Sequence, residues 1–187
     1  MVKEVQTTNH ETEIEEVNKA AISIVDLHKA YGKKKVLKGL NLEVYPGELF
    51  GLIGRNGIGK STTIDCMIGS KRFQKGTIKV NGYNIRKEPL MAKASYGYVA
   101  SEPTCYDAMT GYDFLEFVAS IYMLNEKEFN ISYKYLCKRL RLDMKELEHA
   151  ISGYSHGMKQ KLDIISSLIH KPKLLILDEP FVGLDPK

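Results

Sequence analysis

Eight residues constrain the fold of this chain more than any others: Gly54-Arg55-Asn56-Gly57-Ile58-Gly59-Lys60-Ser61. A short apolar run, Leu49-Phe50-Gly51-Leu52-Ile53, leads into them, and a helix-capable stretch, Ser61 to Ile68, leads out. Strand, glycine-rich turn and helix in that order is the context of a phosphate-binding loop. The glycines let the backbone wrap closely, so that successive N–H groups point inward at phosphate oxygens. The helix start adds its unpaired amides and the positive end of its dipole. Lys60 then offers an ammonium to the β- and γ-phosphates, and the Ser61 hydroxyl is placed to ligate Mg²⁺. With Thr62, the next residue, these positions form the predicted nucleotide-binding set. An ordinary glycine turn is the plain alternative; eight matching positions in this context favour the nucleotide.

Length and composition narrow the rest. A chain of 187 residues can bury one good core with a small appended subdomain, and 43% hydrophobic with 27% charged residues is ordinary globular composition. The balance of 27 basic against 23 acidic residues is too mild to argue for nucleic acid as a partner. No apolar run approaches the length of a bilayer span; the purest is Leu174-Leu175-Ile176-Leu177. The N-terminus shows no signal-peptide apolar region. Cys66, Cys105 and Cys137 are odd in number and widely spaced, which suggests neither a disulfide framework nor a metal site but reduced, buried thiols.

Along the chain, residues 1–19 are polar and acidic and read as a tail outside the fold. Ala21-Ile22-Ser23-Ile24-Val25 alternates as a half-buried strand. A basic hairpin tip, Gly32-Lys33-Lys34-Lys35, leads to a second strand at Val36-Leu37, and Leu40 to Val44 alternates again. Gly76 to Val80 and the turn Asn81-Gly82 signal another hairpin. Tyr96 to Val99 is a further short strand. From Thr110 the period changes: Leu115, Val118, Ala119 and Tyr122 fall on one helix face. Tyr135-Leu136 with Leu140, and then Met144 to Ala150, continue as shorter helices. Residues 110–152 thus read as an inserted helical block. Gly157 to His170 is helical, with Leu162, Ile165 and Ile169 on one face and His170 favourably placed against the dipole. Lys173 to Leu177 reads as a strand buried on both faces, ending in Asp178-Glu179-Pro180.

Two carboxylates at the end of a buried strand form the second half of a nucleoside-triphosphatase site. Asp178 would hold the Mg²⁺ shell and Glu179 would orient or deprotonate the attacking water. A strand-ending acidic turn is the plain alternative. Tyr31, just before the basic tip, is either a surface aromatic or an adenine-stacking ring; its spacing does not decide between them.

With these elements in hand the chain resembles the ATP-binding subunits of ABC transporters. Leu174 to Glu179 looks like their Walker B strand and Gly183-Leu184-Asp185 like their D-loop. Tyr154-Ser155-His156-Gly157-Met158 looks like the family signature in the variant of ABC-2 type exporters, with His156 and Met158 in place of the usual glycine and glutamine. The order of the motifs covers the chain from Ala21 onward.

The resemblance implies an α/β fold: a RecA-like phosphate-loop core, an N-terminal antiparallel β subdomain and an inserted helical subdomain, within one ATP-binding domain over 20–187. It implies ATP and Mg²⁺ as cofactors, Tyr31 on the adenine, and Lys60 and Glu179 as catalytic residues. A second ATP-binding subunit, identical or not, would receive Ser155, His156 and Gly157 against its γ-phosphate. A separate transmembrane permease would be the other partner, holding the protein at the cytoplasmic face of the membrane for export. Two departures stand out. Ser101, beside Glu102, occupies the position of the family's Q-loop glutamine, and the sequence stops at Lys187 before the expected switch histidine and its strand. The C-terminal strand is therefore expected to be missing. An ATP-binding module without turnover is the second functional reading, and a soluble ABC ATPase of translation or DNA repair the third.

Overall fold

The computed structural model describes residues 19–178. The acidic tail, Glu179 and the D-loop candidate Gly183-Leu184-Asp185 fall outside the described residues. The chain is mixed α/β and divides into two compact units, one ending at Ser95 and the other beginning at Tyr96.

The first unit is built on an antiparallel sheet in the order β2-β1-β3-β4. β1 spans Ile22–Tyr31, β2 Lys34–Val44, β3 Lys75–Val80 and β4 Tyr83–Asn84. Alternation puts Ile22 and Ile24 of β1 inward beside Ile78 and Val80 of β3, and the irregularity at Asp26 brings Leu27 in with them, all less than a tenth exposed. β2 is one strand, not the two short ones expected. Register shifts near Asp26, whose φ is +49°, take up the irregularity around Lys38-Gly39 and let pairing continue from Val44 to Lys34. The Asn81-Gly82 turn has φ of +48° and +86°, the type I′ pattern, and joins Val80 to Tyr83 as its sequence predicts. A helix, α1 (Lys60–Met67), follows the glycine loop and buries Ile64 and Met67. A short helix, α2 (Pro89–Ala94), ends the unit.

Leu49 to Ile53, expected as the strand entering the loop, belongs to neither sheet among the described residues. Leu49 and Ile53 are essentially fully exposed. A parallel strand draws its stability from ladder bonds and burial of both faces, and this stretch shows neither.

The second unit pairs β5 (Tyr96–Val99) with β6 (Leu174–Leu177) in parallel, Tyr96 opposite Leu174 and Val99 opposite Leu177. Only Ile176 of β6 is buried, while Leu175 and Leu177 remain 38% and 40% exposed. The expectation of a strand buried on both faces is thus corrected: one face is covered and the other is open. Three helices follow β5: α3 (Gly111–Ile121), α4 (Glu126–Leu140) and α5 (His156–Leu168). Their core gathers Leu115, Phe129, Leu147, Ile151, Leu162 and Ile165. α4 is a single 15-residue helix instead of a short one around Tyr135. Its start is a capping box, in which Asn125 Oδ1 accepts from the Glu128 amide while Glu128 Oε2 accepts from the Asn125 amide. Met144–Glu148 is a 3₁₀ turn.

Helix α5 presses closely on β5 at Gly97, where an added Cβ would collide with the Ser167 carbonyl. At the end of α5, His170 departs from its expected role. Its ring stacks on Tyr122 with centroids 3.7 Å apart and planes 2° from parallel, and Nε2 lies 3.2 Å from the Tyr96 carbonyl. Burial lowers its pKa, so the ring is held neutral and does not serve as a cation at the helix terminus.

Candidate functional site

The predicted phosphate loop lies in the first unit. Asn56-Gly57 forms a turn, and the Ile58 amide donates to the Arg55 carbonyl at 3.3 Å. Gly59 caps α1 with φ +116° and ψ 10°, a left-handed conformation that strains any residue with a side chain. A Cβ there would also come within 2.9 Å of Leu37 Cδ2. The helix is held on from the next turn, where both the amide and Oγ1 of Thr63 donate to the Gly59 carbonyl, at 2.8 and 2.9 Å.

What α1 lacks at its start matters as much. It has no side-chain cap and no acidic residue in its first turn, so nothing negative from its own sequence answers its first amides. Lys60 turns back over the loop, its Nζ donating to the Gly54 carbonyl at 2.7 Å. Arg55, Asn56, Ile58 and Ser61 are exposed, and Thr62 is half-buried. The loop thus combines an exposed glycine-rich backbone, a helix start with no acidic side chain in its first turn and one ammonium, a donor set whose chemistry suits an anion. Tyr31 ends β1 44% exposed, with the Lys29 ammonium 4.6 Å from its ring centroid.

The second unit carries the remaining candidates. Ser155 is the N-cap of α5, and its Oγ accepts from the Met158 amide at 3.2 Å. Ser155 and His156 are exposed, and Gly157 is half-buried in the first turn. Tyr154 anchors this start: it is buried, and its hydroxyl donates to the Glu146 carbonyl at 2.5 Å. Burial pushes the Tyr154 phenol up to about 12, so it remains a neutral donor. Asp178 follows β6 directly, and its amide continues the parallel ladder by donating to the Val99 carbonyl at 3.0 Å. Glu179 lies outside the described residues.

One group had no signal in the sequence. Asp163, inside α5, is only 4% exposed, and its Oδ1 accepts from Thr104 Oγ1 at 3.0 Å. Burial raises its pKa, against the opposing pull of the Thr104 hydrogen bonds. The folded state then keeps a proton that the unfolded chain releases near the usual carboxylate value of 3.8. Its contribution to stability is fully present below that value and is lost as pH rises through the folded pKa. Asp163→Asn keeps the acceptor and removes the charge. It should raise the thermal midpoint at pH 7, because the buried charge that burial disfavours is gone. It should also flatten the decline in stability as pH rises above 3.8, which melting curves across a pH series check.

Comparison with known proteins bears on the whole arrangement. Residues 37–182 match the family described as ABC transporter. The linearmycin resistance ATP-binding protein LnrL of Bacillus subtilis is 40% identical over 162 residues, covering 87% of this chain and 52% of LnrL. The ABC-type transporter ATP-binding protein EcsA of the same organism is 36% identical, covering 88% of this chain and 66% of EcsA. The chain thus spans about half to two thirds of the length of these relatives. A solved ATP-binding subunit of an ABC transporter superposes with a TM-score of 0.82 at 36% identity, covering 89% of this chain and 69% of that one. The chain belongs to the ABC transporter family, as a stretch of its ATP-binding subunit.

Proposed function

We propose that this protein binds and hydrolyses ATP to drive export through a separate transmembrane subunit. The observation that carries this reading is the start of α1, a glycine-capped helix with no anionic side chain of its own and Lys60 at the rim. Amides of Gly54 to Thr62 hold the phosphates, and Tyr31 stacks on the adenine with the face that Lys29 leaves free. Ser61 Oγ and, through water, the Asp178 carboxylate would hold Mg²⁺, which would supply positive charge to the phosphoryl oxygens. Lys60 stabilises the charge that develops on the transferring group, and Glu179 positions the water.

Residues 20–187 act as one ATP-binding domain with 110–152 as its helical insertion. Two such domains, identical or not, enclose ATP between the loop of one and Ser155, His156 and Gly157 of the other. The exposed start of α5, already a helix N-terminus, supports that second contact. No described helix is long and apolar enough to cross a membrane, which fits a separate permease and a place at the cytoplasmic face. No nucleic-acid partner is proposed.

Phosphate release by the folded protein with saturating Mg-ATP tests the reading. Steady turnover is expected. Binding without release would leave an ATP-binding module, and no binding would remove the proposal.

A further inference from the structure

The segment between β5 and α3 has little regular structure, yet it is tied at successive points to α5 and the turn before it. Thr104 Oγ1 donates to Asp163 Oδ1 at 3.0 Å, and Lys159 Nζ donates to Asp107 Oδ1 at 2.6 Å. The Cys105 thiol donates to the Lys159 carbonyl at 3.7 Å. On the backbone, the Ser152 amide donates to the Asp107 carbonyl and the Ile151 amide to the Met109 carbonyl, at 3.0 and 2.9 Å. These ties bracket Ser155 on both sides, at 151–152 and at 159–163. Loop backbone is normally free to move, so five such ties in six residues need a reason. The Thr104–Asp163 pair is the most demanding, because a nearly buried carboxyl is costly unless its partner stays in place.

We propose that Thr104 and Asp163 are positioning residues, a latch that fixes the angle of α5 and so aims Ser155 to Gly157 at the nucleotide. The inference rests on the functional reading above, since it gives those three residues an ATP to meet. Neither Thr104 nor Asp163 touches nucleotide. They act through α5, which is pinned at one end by the 151–152 backbone ties and near its middle by Asp163. Releasing the middle tie leaves α5 held only toward its start, by the 151–152 backbone bonds and the two bonds at Lys159, and lets it pivot there.

The protein carries its own reporter. Cys66 and Cys137 are fully buried, whereas Cys105 is partly exposed and lies within the latch. Burial pushes the Cys105 thiol up to about 12, with Asp163 adding to the rise, so the closed latch keeps it slow to react. Thr104→Val removes the hydroxyl at constant shape. It should speed maleimide labelling of Cys105 about tenfold or more, the usual worth of a hydrogen bond to a charged group. The same variant should lower kcat by a similar factor while the Kd for Mg-ATP stays within about twofold, because the phosphate loop is untouched. Thr104→Ser should restore both. In a parent that binds ATP without turnover, nucleotide-driven self-association replaces kcat as the readout.

Labelling at the parent rate in Thr104→Val overturns the latch. Faster labelling with unchanged turnover or self-association overturns the positioning role. A parent that ignores Mg-ATP sinks the functional reading and the positioning role with it, which distinguishes that failure from a failure of the latch alone.

Discussion

Lys60→Ala is expected to weaken Mg-ATP binding by about 10- to 100-fold, the worth of one charge-assisted hydrogen bond to phosphate. The folded protein should melt where the parent does. Among the described residues the Lys60 ammonium bonds to loop carbonyls, Gly54 at 2.7 Å and Arg55 at 3.4 Å, and both residues are exposed, so water replaces it without leaving a buried acceptor unpaired. The loop keeps its shape because Gly59 and the two Thr63 hydrogen bonds, not Lys60, set the helix start. Lys60→Arg separates charge from fit. A guanidinium is always ionised but planar and broad, so an arginine that fails to restore affinity shows that the loop reads a compact ammonium. Calorimetric titration of parent and variants decides it. Parent-like affinity in Lys60→Ala would mean the nucleotide binds elsewhere.

How much of this was visible in the residue order depends on how local each cause is. The glycine turn at Asn56-Gly57 and the helix that follows it were legible because glycines at fixed spacing act through the backbone of a few consecutive residues. The Asn81-Gly82 turn was legible for the same reason: two residues tolerant of positive φ set a hairpin on their own. Leu162, Ile165 and Ile169 were read as one buried face and are fully buried, since helical period alone places them. The start of α4 was missed although its cause is local. Asn125 and Glu128 spell a capping box, but the polar run between them hid the helix from a reading based on apolar period.

Other features required knowledge of neighbours. Leu49 to Ile53 has the composition of a buried strand, and composition cannot say whether a partner strand is there to pair with it. His170 at a helix end looked like a dipole cation, but burial, which its place against Tyr122 brings, disfavours the charge. The Thr104–Asp163 pair joins residues 59 positions apart, and Gln160, Ser166 and Ser167 around the acid made that face of the helix look solvent-facing although all are buried.

The largest effect belongs to Glu179→Gln, which should cut steady phosphate release about 10²- to 10⁴-fold, the usual contribution of a positioned general base. Affinity for Mg-ATP should stay within about twofold, since glutamine keeps the size of the side chain and its acceptor oxygen. The Asp178 amide continues the ladder of β6 onto β5, so the chain leaves a fixed strand end and the next residue in sequence is the glutamate. In the proposed reaction two carboxylates in succession would divide the work, Asp178 serving the metal and Glu179 the water, and only the second would take a proton. That division has a signature in pH. Parent turnover should fall on the acid side as Glu179 becomes protonated and can no longer accept, whereas the residual turnover of the glutamine variant should lack that limb. Loss of rate with loss of the limb identifies the base. Loss of rate with the limb intact would assign Glu179 to orientation alone and move proton acceptance to another group, and unchanged phosphate release would take Glu179 out of the reaction altogether.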